Sequence, residues 1–205
     1  MKKVFRIALA GYMGAGKSTC ARSFASENTL IIDADAEAKR IMAHSRAIRE
    51  ALRAAFGETV VGADGRIRSD ALGHAAFESV DTLLTLNAIT HPPLVEHLGA
   101  VVSGCQKPLC VLDAALIPLL GIEPWFDLRV WVDAPFETRL ARLAAKRPDM
   151  GEAELAGRMR MQEAVMPAPK GGGWATVGDG ECRGYVVEAL NRFWGPSLYN
   201  FITAL

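Results

Sequence analysis

The feature that most limits how this protein can fold is a glycine-rich segment near its start, GYMGAGKST at residues 11–19. It follows a short apolar run, Val4 to Ala10, and precedes a segment with helical patterning, Lys17 to Glu27. The spacing G-x-x-x-x-G-K-S between a strand and a helix is the pattern of a phosphate-binding loop. The segment therefore predicts a strand–loop–helix unit with an anion site at the turn.

Each residue type in this segment suits the binding of a nucleotide triphosphate. Glycines allow a tight turn whose N–H groups point at an anion, and the start of the next helix adds further N–H groups. Lys17 is expected to reach the β- and γ-phosphates, and the Ser18 hydroxyl is expected to bind Mg²⁺. The alternative is an ordinary glycine-rich turn with a surface lysine. The predicted ATP-binding residues are Gly11, Gly14, Ala15, Gly16, Lys17, Ser18 and Thr19.

The charge balance limits the possible ligands. The sequence has 205 residues, 50% of them hydrophobic, which fits a globular protein with one substantial core. Lys plus Arg and Asp plus Glu both number 23, so no overall positive field favours nucleic acid. Phosphate chemistry must therefore depend on local groups.

Cysteine usage and the apolar segments indicate a cytoplasmic protein. The four cysteines form no C-x-x-C pair, so a zinc site is not expected, and we predict free thiols in a reducing compartment. They are Cys20, Cys105, Cys110 and Cys182. Arg6 interrupts the apolar start, which argues against a signal peptide. No run reaches the roughly 18 apolar residues that a membrane span requires.

Short apolar runs alternate with helical patterns, which predicts an α/β fold with a parallel sheet covered by helices on both faces. The predicted strands after the first are Leu30–Ile32, Leu109–Leu112, Leu128–Val132 and Trp174–Val177. The predicted later helices are Glu137–Lys146, Glu152–Gln162 and Glu181–Trp194. Residues 36–104 have alanine-rich helical patterning and resemble an insertion. Ligands of such sheets bind beyond the carboxyl ends of the strands.

Acidic residues follow several predicted strands at that edge. Asp33 and Asp35 are two residues apart, so on extended backbone both would face the same side, one as a base and one near the metal. The alternative is a helix cap before the helix that begins near Ala36. Asp113 is either a Mg²⁺ ligand or part of a plain loop. Asp133 is expected to cap a helix.

Basic residues could stabilise the charge that develops during phosphoryl transfer. Arg139, Arg142 and Lys146 recur at three- and four-residue spacing and so share a helix face. A break at Pro148 permits a lid over residues 139–170, although a basic face is often simply solvated. His91, before Pro92-Pro93, is either a substrate contact or the end of a helix; spacing favours the helix end.

Taken together, the motifs resemble the dephospho-coenzyme A kinase family. The resemblance lies in the order of the phosphate loop, IIDADAEAKRIM, FGETVVGADGRIRSDALGHAAF, ITHPPLVEHL, VLDAALI, RVWVDAPFETRLARL and RMRMQ. It implies a P-loop kinase fold with a core at 1–35 and 105–192, a helical coenzyme-A-binding region at 36–104, a lid, and a tail at 193–205. It also implies transfer of the ATP γ-phosphate to the ribose 3′-hydroxyl of dephospho-coenzyme A, a small-molecule substrate.

The resemblance also implies residue roles. Asp35 would be the general base, and Lys17 and Arg142 would stabilise the migrating phosphoryl group. Ser18 and Asp113 are the predicted Mg²⁺ ligands, so the predicted cofactors are ATP and Mg²⁺. The predicted substrate contacts are Asp33, Asp35, His91 and Leu116. We expect no nucleic-acid or membrane partner, and a monomer or small homo-oligomer.

Three segments depart from the family pattern. Ala115 to Leu119 replaces the usual P-L-L-F-E, Arg68-Ser69 replaces Asp-Arg, and Asp179 stands where an asparagine is usual in a loop expected to shape adenine recognition.

Two other functions remain open. A shikimate kinase is similar at GYMGAGKST and D-x-D, but its F-R element and its G-G-G loop midway along the sequence are missing here. The second alternative function is a switch that binds ATP without turnover.

Overall fold

A computed structural model describes residues 4–195, in which five strands form one parallel sheet. The strand order is β2-β3-β1-β4-β5, so the strand before the phosphate loop is central. The α/β prediction is confirmed, and each strand lies within one or two residues of its predicted apolar run. The strands are β1 (Phe5–Ala10), β2 (Thr29–Asp33), β3 (Leu109–Asp113), β4 (Leu128–Asp133) and β5 (Trp174–Gly178).

Helices connect the strands and also form the long segment between β2 and β3. Helix α1 ends at Arg22 rather than at the predicted Glu27. The helices are α1 (Lys17–Arg22), α2 (Ala34–His44), α3 (Arg46–Phe56), α4 (Ser69–Ala76), α5 (Val80–Ser103), α6 (Ile117–Leu120), α7 (Phe136–Lys146), α8 (Glu152–Val165) and α9 (Cys182–Trp194). Short 3₁₀ helices cover Glu58–Val60 and Glu123–Trp125.

Both faces of the sheet are buried, which explains why its strands are continuous apolar runs rather than alternating ones. On one face Ala8 and Leu112 pack with Leu98 of α5. On the other face Ile7 and Val111 pack with residues of α1 and α9. The sheet is therefore a rigid base whose carboxyl edge can hold a site.

The helical segment between β2 and β3 has a small core of its own, formed by Ile48, Leu52, Val60 and Leu72. These residues come from α3, the 3₁₀ helix Glu58–Val60, and α4. This packing supports the predicted helical insertion at residues 36–104, whose function stays a prediction.

Helix α5 passes through Pro92 and Pro93 without a break, so the expectation that a helix ends at His91 is wrong. A proline inside a helix removes one hydrogen bond and costs about 3 kcal/mol. Burial of Leu83 before the prolines, and of Leu94 and Leu98 after them, offsets this cost, at roughly 1.5–3 kcal/mol for each leucine. Tertiary packing thus overrides the local signal.

Cys20 of α1 and Cys182 of α9 form a disulfide, so the prediction of free thiols is wrong for these two residues. They lie 162 residues apart in sequence, and only the folded protein brings them together. Cys105 and Cys110 are free and buried, as expected. Burial raises the pKa of the Cys110 thiol to about 12, which makes it unreactive.

No helix within residues 4–195 is long and apolar enough to cross a membrane. Most of the predicted apolar tail at 193–205 lies outside the described residues, which end at Gly195.

Candidate active site

The loop after β1 has the backbone that its glycines predict. Gly11 has φ +144° and Gly14 has φ +78°, both in a region that other residues rarely adopt. A Cβ atom on Gly11 would collide with the carbonyl oxygen of Val132, and one on Gly14 would lie 2.7 Å from the carbonyl oxygen of Arg139. The loop is therefore packed tightly between β4 and α7.

Lys17 lies inside this loop. Its Nζ donates a hydrogen bond to the Tyr12 carbonyl oxygen, with a donor–acceptor distance of 3.1 Å. Burial lowers the pKa of Lys17, and the negative charges of Asp113 and Asp35 oppose that shift. The ammonium group thus lies between the loop and two acids, where it can contact a bound phosphate.

Asp113 is at the end of β3, beside the end of β2 and close to the end of β1. Its register partners are Leu9 of β1 and Asp33 of β2. Burial raises the pKa of the Asp113 carboxyl, whereas a hydrogen bond from Ser18 and the charge of Lys17 lower it. The structure therefore brings together the two predicted metal ligands. Residues 4–195 contain no group of three or more His, Cys, Asp or Glu residues arranged to bind a metal ion.

The spacing of Asp33 and Asp35 predicts that both lie on extended backbone, but the structure places only Asp33 there. Helix α2 begins at Ala34, and Asp33 is its N-cap, with Oδ1 accepting a hydrogen bond from the Ala36 N–H at 3.0 Å. This cap satisfies a helix N–H that would otherwise lack a partner. Asp35 lies in the first turn of α2, close enough to Lys17 for its charge to affect the lysine pKa.

Three other predicted residues lie outside the phosphate loop. Asp133 ends β4 and does not cap α7, whose N-cap is Pro135; that expectation is wrong because the proline already fixes the turn. His91 is half-buried on α5, burial lowers its pKa, and its Nε2 has no hydrogen-bond partner among the described residues. Leu116, before α6, packs partly against the core. Substrate contacts at His91 and Leu116 stay predictions.

Arg139 anchors α7 beneath the loop instead of facing open solvent. Its guanidinium is buried, and Nε donates to the Ala134 carbonyl oxygen at 2.9 Å. It also forms an ion pair with Glu163 of α8 and lies 5.1 Å from the centre of the Tyr12 ring. These contacts tie the proposed lid helices to the loop.

Arg142, one turn later on α7, contacts the loop directly. Its Nη1 donates to the Gly14 carbonyl oxygen at 3.3 Å, and its Nη2 donates to Asp179 Oδ2 at 2.6 Å. The charge of Lys146, one turn further along α7, helps to lower the pKa of Lys17. The predicted basic face of α7 is therefore turned toward the phosphate loop.

Two basic residues outside this face are paired elsewhere. Arg147 forms an ion pair with Asp149 at 3.0 Å, and Arg158 pairs with Glu154 at 2.8 Å. Arg142, whose contacts with Gly14 and Asp179 hold it at the loop itself, and Lys146 are the better candidates for phosphate contacts.

Gln162 supports the loop, although the sequence motifs assign it no role. This α8 residue is 7% exposed, and its Oε1 accepts a hydrogen bond from the Met13 backbone N–H of the loop at 2.8 Å. A polar residue is rarely so buried without a partner. The available signal is the segment RMRMQ, in which Met159 and Gln162 are three residues apart and so share the buried face of α8.

Comparisons with known proteins agree with this geometry. A family model described as dephospho-CoA kinase matches residues 5–167. A dephospho-CoA kinase of Corynebacterium efficiens is 37% identical over 147 residues, 70% of this protein and 74% of that one. A solved structure from Thermus thermophilus has a TM-score of 0.68 and 28% identity, over 94% of this protein and 99% of that structure.

The fold is also similar to that of a shikimate kinase from Acinetobacter baumannii. The TM-score is 0.50 and the identity 16%, over 94% of each protein. At this identity the likeness concerns the fold alone. Because the family model covers most of the sequence and the expected motifs lie within the matched residues, this protein belongs to the dephospho-CoA kinase family.

Proposed function

We propose that this protein transfers the γ-phosphate of ATP to the 3′-hydroxyl of the ribose in 3′-dephospho-coenzyme A, giving coenzyme A and ADP. One observation supports this reaction above all others. Lys17 is partly buried, its Nζ donates to the Tyr12 carbonyl oxygen of the phosphate loop, and the charges of Asp113 and Asp35 both act on its pKa. Phosphoryl transfer to an alcohol needs a cation for the phosphates, an oxygen ligand for a metal and a base, and this arrangement offers all three.

The loop would hold the triphosphate of ATP. Residues from Gly14 to Thr19 would offer backbone N–H groups to the phosphates, and Lys17 would exchange its bond to the Tyr12 carbonyl oxygen for a phosphate oxygen. The charge that develops on the transferring group would be stabilised by Lys17 and by Arg142, which already touches Gly14.

Ser18 and Asp113 would hold Mg²⁺. Both offer hard oxygen atoms, and the raised pKa of the buried Asp113 carboxyl indicates a group that a nearby cation would stabilise in its charged form. Mg²⁺ usually takes only one or two protein ligands together with phosphate oxygens and water, which fits these two residues. When bound, the ion would neutralise phosphate charge.

Asp35 would be the general base. It lies in the first turn of α2, where the helical region joins the core. Its carboxylate would accept the proton of the acceptor hydroxyl as the new oxygen–phosphorus bond forms. Asp33 would fix the start of α2, and so the position of Asp35, through its cap to Ala36.

The helical region at residues 36–104 would bind the acceptor. His91 supports this assignment, because its buried Nε2 has no hydrogen-bond partner among the described residues, and a polar group of the acceptor would supply one. The same reasoning does not extend to Leu116, which supplies only apolar surface.

The test is an ADP-release assay with Mg-ATP and either dephospho-coenzyme A or shikimate as acceptor. Turnover with dephospho-coenzyme A alone supports the proposal, and turnover with shikimate alone would favour the second kinase, whose fold is similar. ATP binding without turnover on either acceptor would favour a switch.

Asp35→Asn tests the assignment of the base. We expect kcat to fall by roughly 10²–10⁴ while ATP affinity stays close to wild type. Asp127→Asn is the matched control, because Asp127 is exposed and directly precedes β4, at the amino edge of the sheet. If Asp35→Asn turns over at a near-normal rate, Asp35 is not the base.

A further inference from the structure

Asp179 places a negative charge against the loop that would bind a negatively charged nucleotide. It follows β5 directly, and the register of β5 on β4 pairs Gly178 with Asp133, at the carboxyl edge of the sheet. A Cβ atom placed on Gly16 would lie 2.9 Å from the Asp179 Cβ and 3.4 Å from its Oδ2. The carboxylate therefore borders the residue that comes just before Lys17.

The partner of this carboxylate is Arg142. Its Nη2 donates to Asp179 Oδ2 at 2.6 Å, while its Nη1 donates to the Gly14 carbonyl oxygen at 3.3 Å. The two charged groups are only partly exposed, Arg142 at 38% and Asp179 at 35%. Two anchors thus hold a guanidinium at the rim of the loop, and one of them is a charge of the same sign as a phosphate.

We infer that Asp179 is a positioning residue that holds Arg142 at the phosphate loop and, in doing so, weakens nucleotide binding. This inference rests on the proposed role of Arg142 in phosphoryl transfer. An arginine already held in place loses less conformational freedom when the reacting phosphate arrives. The carboxylate that holds it repels the same phosphates.

The two effects predict opposite changes in binding and rate. Removing the charge in Asp179→Asn or Asp179→Ala should tighten Mg-ATP binding by about three- to tenfold at low salt. The gain should become smaller at about 0.5 M salt, because salt screens charges that are partly exposed. Asp179→Ala should lower kcat by about 10–100-fold, since even small misplacement of a catalytic group is costly. Asp179→Asn should lower it less, because its amide oxygen still accepts from Arg142.

The experiment measures binding and rate separately. Binding of Mg-ATP is followed by calorimetry without acceptor at low and high salt, and kcat by ADP release with dephospho-coenzyme A. Glu188→Gln is the control, because it also removes a negative charge, here an exposed carboxylate on α9, outside the loop, the lid and the helical region. We expect it to change neither quantity.

A double-variant series tests whether Asp179 acts through Arg142. In an Arg142→Ala background, Asp179→Ala should cause no further loss of kcat but should still tighten binding. Unchanged or weaker binding in both Asp179 variants would overturn the inference, as would an equal loss of kcat with and without Arg142. If wild-type protein does not phosphorylate dephospho-coenzyme A, the proposed function fails, and the binding measurements still decide the charge effect of Asp179.

Discussion

Gln162 offers a direct test of how the lid helices support the phosphate loop. Gln162→Met keeps the length of the residue but removes the oxygen that accepts the Met13 N–H at 2.8 Å. Loss of one partner of a largely buried hydrogen bond costs about 1–2 kcal/mol of unfolding free energy. For a protein of this size, the midpoint of thermal unfolding should fall by about 2–8 °C.

The same change should weaken ATP binding. If the lost 1–2 kcal/mol comes entirely from disorder of the loop, the dissociation constant for Mg-ATP should rise by about 5–30-fold, because nucleotide binding must then order the loop again. The assay combines thermal unfolding with calorimetric titration of Mg-ATP in the absence of acceptor.

Gln106→Met is the matched control. The Gln106 amide is exposed and its Nε2 donates only to the nearby Gly104 carbonyl oxygen at 3.4 Å. We expect loss of the Gln106 amide to change the free energy of unfolding by no more than about 0.5 kcal/mol. If Gln162→Met behaves like this control in both measurements, the hydrogen bond does not hold the loop and the reasoning is refuted.

Three further predictions concern stability, pH and loop geometry. The Cys20–Cys182 disulfide joins residues that are 162 positions apart, so its reduction should lower the free energy of unfolding, measured in urea, by up to about 5 kcal/mol. An unchanged urea midpoint after reduction would show that the bond does not stabilise the fold. Because the pKa of Asp113 is raised in the folded protein, the folded state keeps a proton at pH values where the unfolded state has lost it. The free energy of unfolding should therefore fall as the pH rises from the ordinary aspartate pKa to the raised pKa of Asp113. Asp113→Asn should remove this slope in urea titrations at several pH values and abolish Mg²⁺-dependent turnover, whereas a persisting slope would assign it to another group. Gly14→Ala should lower ATP affinity at least tenfold in calorimetry, because its Cβ would lie 2.7 Å from the Arg139 carbonyl oxygen; wild-type affinity would show that the loop can move aside.

The sequence by itself determined the elements whose signals are local. The phosphate loop is specified by glycines and a lysine within nine consecutive residues, and each strand by a short apolar run, which in the inner strands β1, β3 and β4 is largely buried. The order of the motifs predicted membership of the dephospho-CoA kinase family, and the comparisons confirmed this prediction. These features need no knowledge of distant contacts, because backbone sterics and burial act on neighbouring residues.

Only the tertiary structure decided how the site is assembled. The helix at Ala34 changed the expected relation of Asp33 to Asp35, since capping a helix N–H competes with continuing the strand. Helix α5 continued through Pro92 because the buried residues on both sides offset the lost hydrogen bonds.

Long-range pairs were equally invisible in the sequence. Gln162 meets Met13, Arg142 meets Asp179, and Cys20 meets Cys182, across separations of 149, 37 and 162 residues. No spacing rule connects such positions, because their contacts exist only after the sheet has placed α1, α7, α8 and α9 around the loop. The sequence thus set the chemical groups, and packing set which of them meet.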